Sequence, residues 1–553
     1  MRGTSTVWTR AFWTLIVAVA TTGASRAQIT SPIETSFKAA PSHRVLLIPL
    51  DDRPATTQFA QMMGSIAELS VETPPAQLLG RFTTPGNSEA ILDWLEKVPV
   101  HQFDSVVVNV EMVCYGGLIS SRTNATPQDE AIRRLRRLWK VRKANPGVRF
   151  YGFGAIQRIA PTALLETRSW RDALTQLVML KSRIVGKPNQ EQVKRAKALR
   201  AKVPQGEVEA YYEARSRNHA IQKELLRMTS AKAFDYLVLG QDDAQREGPH
   251  VAENKRLGEM AKNLKIANKV FFCEGIDQHS NVLLSRSILS RQNWTPAVHV
   301  EFADEIGKGK IAPYESTHVE ESLLDQVRAS GARIEEDPAN ADYTLYVNTP
   351  EPRADHFQAF VEKLTSDIDQ GFPVAVADIN LGTNGTGDVR LFDSLQESGR
   401  SMKLLSYAGW NTAGNTLGTA IPAANIYLAA RRASSNDFDR ELAQRAFLLH
   451  RLVNDFTYHR YTRPQAYDLQ RRLGAEKEES SGTLFDAVND FVRNDVSLRL
   501  EDTFRTQFKG RTFFAGPRQY RFSEMKDVRV ELPWPRAYEV RIGFTLTASE
   551  VPL

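Results

Sequence analysis

Short apolar runs of strand length alternate with helical stretches between residues 45 and 407, and this alternation restricts the fold more than any other feature of the chain. The runs cover 45–50, 105–110, 148–153, 236–240, 270–273, 344–347, 373–377 and 403–407. Between them, 89–97, 128–143, 354–370 and 389–397 carry apolar residues at helical spacing. Strands separated by helices pair in parallel, because a parallel neighbour needs a crossover long enough to hold a helix. Eight such units predict an α/β fold, a (β/α)8 TIM-like barrel with its active site where the strands end. Residues 297–302 read as a ninth strand, so 290–341 is either an excursion or the mark of an open doubly wound sheet. The barrel is the preferred expectation.

The flanks divide by composition. Residues 1–27 have the form of a signal peptide, with Arg2 and Arg10 in a basic start, an apolar stretch at 11–24, and small residues at Ser25 and Ala27. An uncleaved anchor is the alternative. A linker at 28–42, a catalytic domain at 43–420 with a helical insertion at 163–230, a helical region at 421–505 and a small β-rich module at 506–553 complete the expected organisation. Cleavage would lower the formal charge from +6 to +3, since the leader holds three arginines and no acids. With no basic tract either, nucleic acid is not an expected partner. The expected location is periplasmic or extracellular, with no stable membrane span after cleavage. Cys114 and Cys273 fall on different strands and read as free buried thiols; no metal or cofactor is implied by them.

Polar residues crowd the strand ends. Tyr236 to Gly240 runs into Gln241, Asp242 and Asp243, and two adjacent carboxylates at a strand end are costly unless their proton chemistry is used. Asp242 and Asp243 are expected to share a proton unequally, one polarising a substrate group while the other, its proton affinity raised by its neighbour, donates to a leaving oxygen. Binding residues are expected from the other ends: Asp51, Asp52 and Arg53; Glu111 and Tyr115; Asp277; Asp378 and Asn380; Trp410, Asn411 and Asn415. Arg215 and Asn218 share a helix face that would lean over the mouth, although a solvated face explains the same spacing. Each Asp or Asn taken alone is explained as well by turn capping. An indole with amide donors suits sugars, which present apolar faces and ringed hydroxyls.

Five stretches together resemble the bacterial family called domain of unknown function 4127. They are 48–54, 115–122, 217–218, 241–244 and 407–412. The resemblance implies no activity; Glu111 stands where the pattern suggests Asp. A looser, mechanistic resemblance is to glycoside hydrolase family 84, in which adjacent aspartates end the fourth barrel strand and the substrate's acetamido group takes part; it implies that Asp242 polarises that group and Asp243 is the general acid and base. The expectation is an exported glycoside hydrolase with a carbohydrate substrate. The alternatives are a metal-dependent phosphate or ester hydrolase using Asp51, Asp242, Asp277 and His279, and a non-catalytic envelope sugar-binding protein.

Overall fold

The computed structural model describes residues 43–552 except 185, 383–384, 434–435 and 476–478. The leader, the linker and Asn384, which belongs to a Gly/Asn loop after the seventh expected strand, lie outside the described residues. All eight expected strands form, and 297–302 forms a ninth. They belong to two sheets. The first contains β1 (His43–Ile48), β2 (Leu69–Glu72), β3 (Ser105–Asn109), β4 (Arg149–Ile156), β5 (Tyr236–Gln241) and β6 (Val270–Glu274), in the order β2-β1-β3-β4-β5-β6. The second contains β7 (Ala297–Phe302), β8 (Arg333–Ile334), β9 (Tyr343–Asn348), β10 (Val374–Asp378) and β11 (Ser406–Ala408), in the order β8-β7-β9-β10-β11. Every pairing in both is parallel.

The expected closed barrel is therefore corrected to two open sheets. What the barrel reading treated as an excursion starts the second sheet: β7 pairs with β9, and β6 ends the first sheet at an edge. Counted from its own first strand, each sheet follows the doubly wound order 2-1-3-4-5, although the sequence shows no evident repeat.

Alternation along each strand explains the layering. Val45, Leu47, Val107 and Val238 point to a middle layer of helices, while Leu46, Ile48, Val106 and Leu239 point outward. Leu345, Val347, Ala375 and Ala377 of the second sheet face the same middle layer. Helices Gln58–Ile66, His279–Gln292, Val319–Ser330 and Ala413–Ala433 fill it, so the two sheets share one core. Burial on both faces explains why these strands read as continuous apolar runs. The expected insertion is helical, as Arg171–Arg183, Gln190–Arg200 and Glu207–Ser230, and the last of these covers the outer face of the first sheet through Ile221 and Leu225. Further helices follow Ala433. The chain then ends in an antiparallel sheet of β12 (Thr512–Ala515), β13 (Arg518–Glu531) and β14 (Arg541–Val551), packed against the second sheet's outer core. Cys114 and Cys273 are free and buried. No helix among the described residues is long and apolar enough to cross a membrane.

One ion pair lies wholly inside. Arg451 donates to Asp455 at 2.7 Å with both side chains fully buried, and its guanidinium lies 3.5 Å from the centre of the Phe59 ring. The other oxygen of Asp455 accepts the Gly409 N–H at 3.1 Å, which holds the turn after β11. Arg451→Leu strands that carboxylate. Denaturant unfolding is expected to show a loss of about 3–5 kcal/mol.

Candidate functional site

A cavity of about 420 Å3 lies at the carboxyl ends of the first sheet. Arg53 enters it after β1, Arg122 after β3, Arg158 after β4, Asp242 and Asp243 after β5, and Asp277 after β6. Asn411 comes from the turn after β11 of the other sheet, and Asn415 from the first turn of helix Ala413–Ala433. Trp534, Arg536 and Tyr538 come from the β13–β14 connection, and Arg463 and Tyr467 from helix Arg463–Arg472. In doubly wound sheets ligands bind at this end, near the point where the strand order reverses, here between β1 and β3.

Local chemistry aims these groups. Gly275 ends β6 at φ +79°, and a Cβ there would meet the Gln278 side chain at 2.7 Å; only glycine makes the turn that brings Asp277 inward. Asn411 adopts φ +59°, a left-handed conformation that asparagine tolerates better than most residues. Its carbonyl accepts the Tyr538 hydroxyl and its amide donates to Asn415, both at 2.5 Å. Asn415 then donates to Gln278 at 2.7 Å. This chain of amides ties the second sheet and the C-terminal loop to the end of β6.

Each pocket aspartate has a guanidinium of its own. Arg53 bonds Asp51 at 2.7 Å and grips both oxygens of Asp277 at 2.7 and 3.1 Å, with Glu539 at 3.6 Å. Arg122 donates through Nε to Asp242 at 3.1 Å, and Arg158 pairs with Asp243. A cation thus stands against each of the adjacent aspartates. Burial penalises the charge on Asp242, yet Arg122 and Arg158 together hold its carboxyl below the usual range. Burial drives Asp277 the other way, opposed by Arg53 and reinforced by Asp51 and Asp242. One positive charge is spread over three acids there, so proton affinity rises.

Asp242, Asp243, Asp277, Arg53, Asn411 and Asn415 are brought together in the cavity; the other expected residues are not. Asp51 lies behind Arg53. Glu111 is buried against the Ala155 N–H at 2.7 Å and the Asn109 amide, and burial pushes it up to about 7. Tyr115 is buried beneath the Arg217 guanidinium, 4.1 Å from its ring centre. Arg215 forms two bonds of 2.7 Å to Glu253, and Asn218 bonds the Ser121 carbonyl and Gln157. Neither leans over the mouth; both fasten their helix to the sheet. Asp378 is buried, accepts from Asn348 and the Asp388 N–H, and rises through burial to about 8. Asn380 bonds Asp388 and the Glu351 N–H. Trp410 is no sugar platform: its indole donates to Thr419 at 3.2 Å and meets Phe59 edge-on. The alternative metal set does not assemble, since no cluster of three acidic, His or Cys residues able to hold a metal occurs among the described residues. His279 instead bonds the Gly275 carbonyl and falls through burial to about 3.

The sequence reading missed the aromatic wall of Trp534, Tyr538, Tyr467 and Tyr314, and the cations Arg171, Arg463 and Arg536. The one available signal was the Pro533-Trp534-Pro535 turn between two alternating stretches, since a Pro-flanked indole is out of place in a plain hairpin.

A family model described as "Protein of unknown function (DUF4127)" matches residues 45–543. The chain belongs to this family. Of the stretches that carried the resemblance, Arg53, Arg122, Asp242, Asp243 and Asn411 reach the cavity, whereas Tyr115, Asn218 and Trp410 are buried away from it. No curated protein matches the sequence. Among solved structures, a variant of Rhizobium etli pyruvate carboxylase with the allosteric activator acetyl coenzyme A aligns over 92% of this chain and 50% of its own, at 10% identity and a TM-score of 0.16. The chain thus spans about half the length of that enzyme, and the likeness is too slight to bear on fold or function. The likeness to glycoside hydrolase family 84 lapses with the barrel on which it rested, because Asp242 and Asp243 follow the fifth strand of an open sheet.

Asp52 turns away from the main cavity. It lines a second one of about 320 Å3, accepts the Trp534 indole N–H at 2.6 Å, and is raised by burial from 3.8 to about 6. Between about pH 4 and pH 6 the folded chain therefore holds more proton on Asp52 than the unfolded chain, and stability falls as pH rises through that window. Asp52→Asn keeps an acceptor for Trp534 and removes the titration. Unfolding free energies at both ends of the window are expected to lie closer together in the variant than in the parent.

Proposed function

We propose that this chain is an exported hydrolase of glycosidic bonds, working by carboxylate acid–base chemistry in the 420 Å3 cavity. The observation that carries the reading is the opposed proton affinity of two aspartates on one wall: Asp242 held down by arginines, Asp277 pushed up by burial. Carboxyls whose environments drive them apart divide into an acid and a base. Asp277 then donates the proton to the leaving oxygen, and ionised Asp242 serves as nucleophile or as base toward water. These roles replace the assignment of acid catalysis to Asp243, which Arg158 engages. Tyr538 offers an exposed ring and Asn411 an amide group at the cavity, the kinds of surface a sugar requires. Export is inferred from the leader-like residues 1–27.

The test is a panel of aryl glycosides, with Asp277→Asn and Asp242→Asn as controls. Either variant is expected to lower kcat by about 10²–10⁴ while leaving binding measurable. Rate should fall at high pH as Asp277 loses its proton and at low pH as Asp242 gains one. Inactivity of the parent across the panel, with sugars still bound, would favour the non-catalytic binding protein instead.

A further inference from the structure

The cations of the cavity exceed its acids, and the excess is local. Six arginines line the cavity against three aspartates. Arg53, Arg122, Arg158 and Arg536 each have a carboxylate partner, the last being Glu539. Arg171 is different. Its Nε donates to the Pro161 carbonyl at 2.8 Å, and among the described residues its one acidic neighbour within 4.0 Å is Asp172, whose side chain is 89% exposed and screened by water. It lies close enough to Arg158 that burial and then Arg158's charge lower its affinity for its own proton. Arg158 in turn has a buried Nε without a hydrogen-bond partner. Arg171 is also the first residue of helix Arg171–Arg183, where the helix dipole disfavours a cation. Arg171 thus carries its charge at a cost, at a helix start and beside a second guanidinium, while Arg158 is paired with Asp243 and keeps one idle buried donor. An anion between them removes that cost.

We infer that the substrate is an acidic sugar, whose carboxylate or sulfate or phosphate ester binds between Arg158 and Arg171. This rests on the glycosidase reading, but binding tests it without turnover. Tyr314 and Thr162 border the same wall and can contact the sugar beside its charged group. With an anion on Arg158 and Arg171, Arg122 still bonds Asp242 and Arg53 still bonds Asp277.

The experiment is calorimetric titration of the full chain with glucuronate, glucose 6-phosphate and glucose at low and high salt. At least one acidic sugar is expected to bind ten-fold or more tightly than glucose, and to weaken as salt rises. Which one binds separates carboxylate from phosphate recognition. Arg171→Gln is expected to lower that affinity at least ten-fold and Arg171→Lys to retain part of it, with thermal melting used to show that both variants fold. Equal binding of glucose, no binding of either acid, or unchanged affinity in Arg171→Gln overturns the inference. Acid-sugar binding lost with Arg171 but without hydrolysis of any aryl glycoside leaves the anion site standing and removes the glycosidase reading. Cleavage of neutral glycosides with no preference for acidic ones does the reverse.

Discussion

One guanidinium organises the site. Arg53 is buried after β1, bonds Asp51 beside it, and spans the sheet to grip both oxygens of Asp277 after β6. Its other side faces Glu539 at 3.6 Å and the Trp534 ring at 4.9 Å. The two ends of the first sheet's working edge and the C-terminal loop are thereby joined through a single planar cation. Arginine suits this position because its donors are fixed in a fork and it keeps its charge when buried. A charge so placed would be prohibitive without partners, and burial, reinforced by Asp51 and Asp242, raises the proton affinity of Asp277 against its pull.

The C-terminal sheet gains its meaning from this contact. As an isolated three-stranded module it would be an appendage. Instead its β13–β14 connection delivers an indole, a guanidinium and a phenol to the cavity that Arg53, Asp242 and Asp277 also line. Trp534 also donates its N–H to Asp52, so a side chain lining the main cavity bonds one lining the second.

Much of the fold was legible because strand identity is local. β-branched runs buried on both faces declare themselves, and β1, β3 to β6 and β9 to β11 all did. Closure was not legible. Whether a strand–helix alternation forms one barrel or two sheets depends on which distant edges pair, and β7 pairing with β9 is a fact of register that no window around 297–302 contains. The site divides the same way. Asp242, Asp243, Asp277 and Arg53 were readable because parallel sheets present their carboxyl ends to ligands. Glu111, Arg215, Asn218 and Asp378 misled for a good physical reason: buried polar groups must be hydrogen-bonded, and those that fasten helices to strands resemble in sequence those that meet a substrate. Trp410 misled because its indole partner, Thr419, lies two turns along the following helix and satisfies the polar end inside the core.

The account depends on Asp242 and Asp277 standing in opposite protonation states inside one cavity. Infrared difference titration of the protonated-carboxyl band in the parent, Asp277→Asn and Asp242→Asn measures this directly. Glu111, Asp378 and Asp52 also contribute to this band, so the expected change is the loss in Asp277→Asn, and the retention in Asp242→Asn, of the intensity of one carboxyl that keeps its proton above the ordinary aspartate range. If the band is unchanged in Asp277→Asn, Asp277 is an ordinary ionised partner of Arg53, and the division into acid and base is wrong.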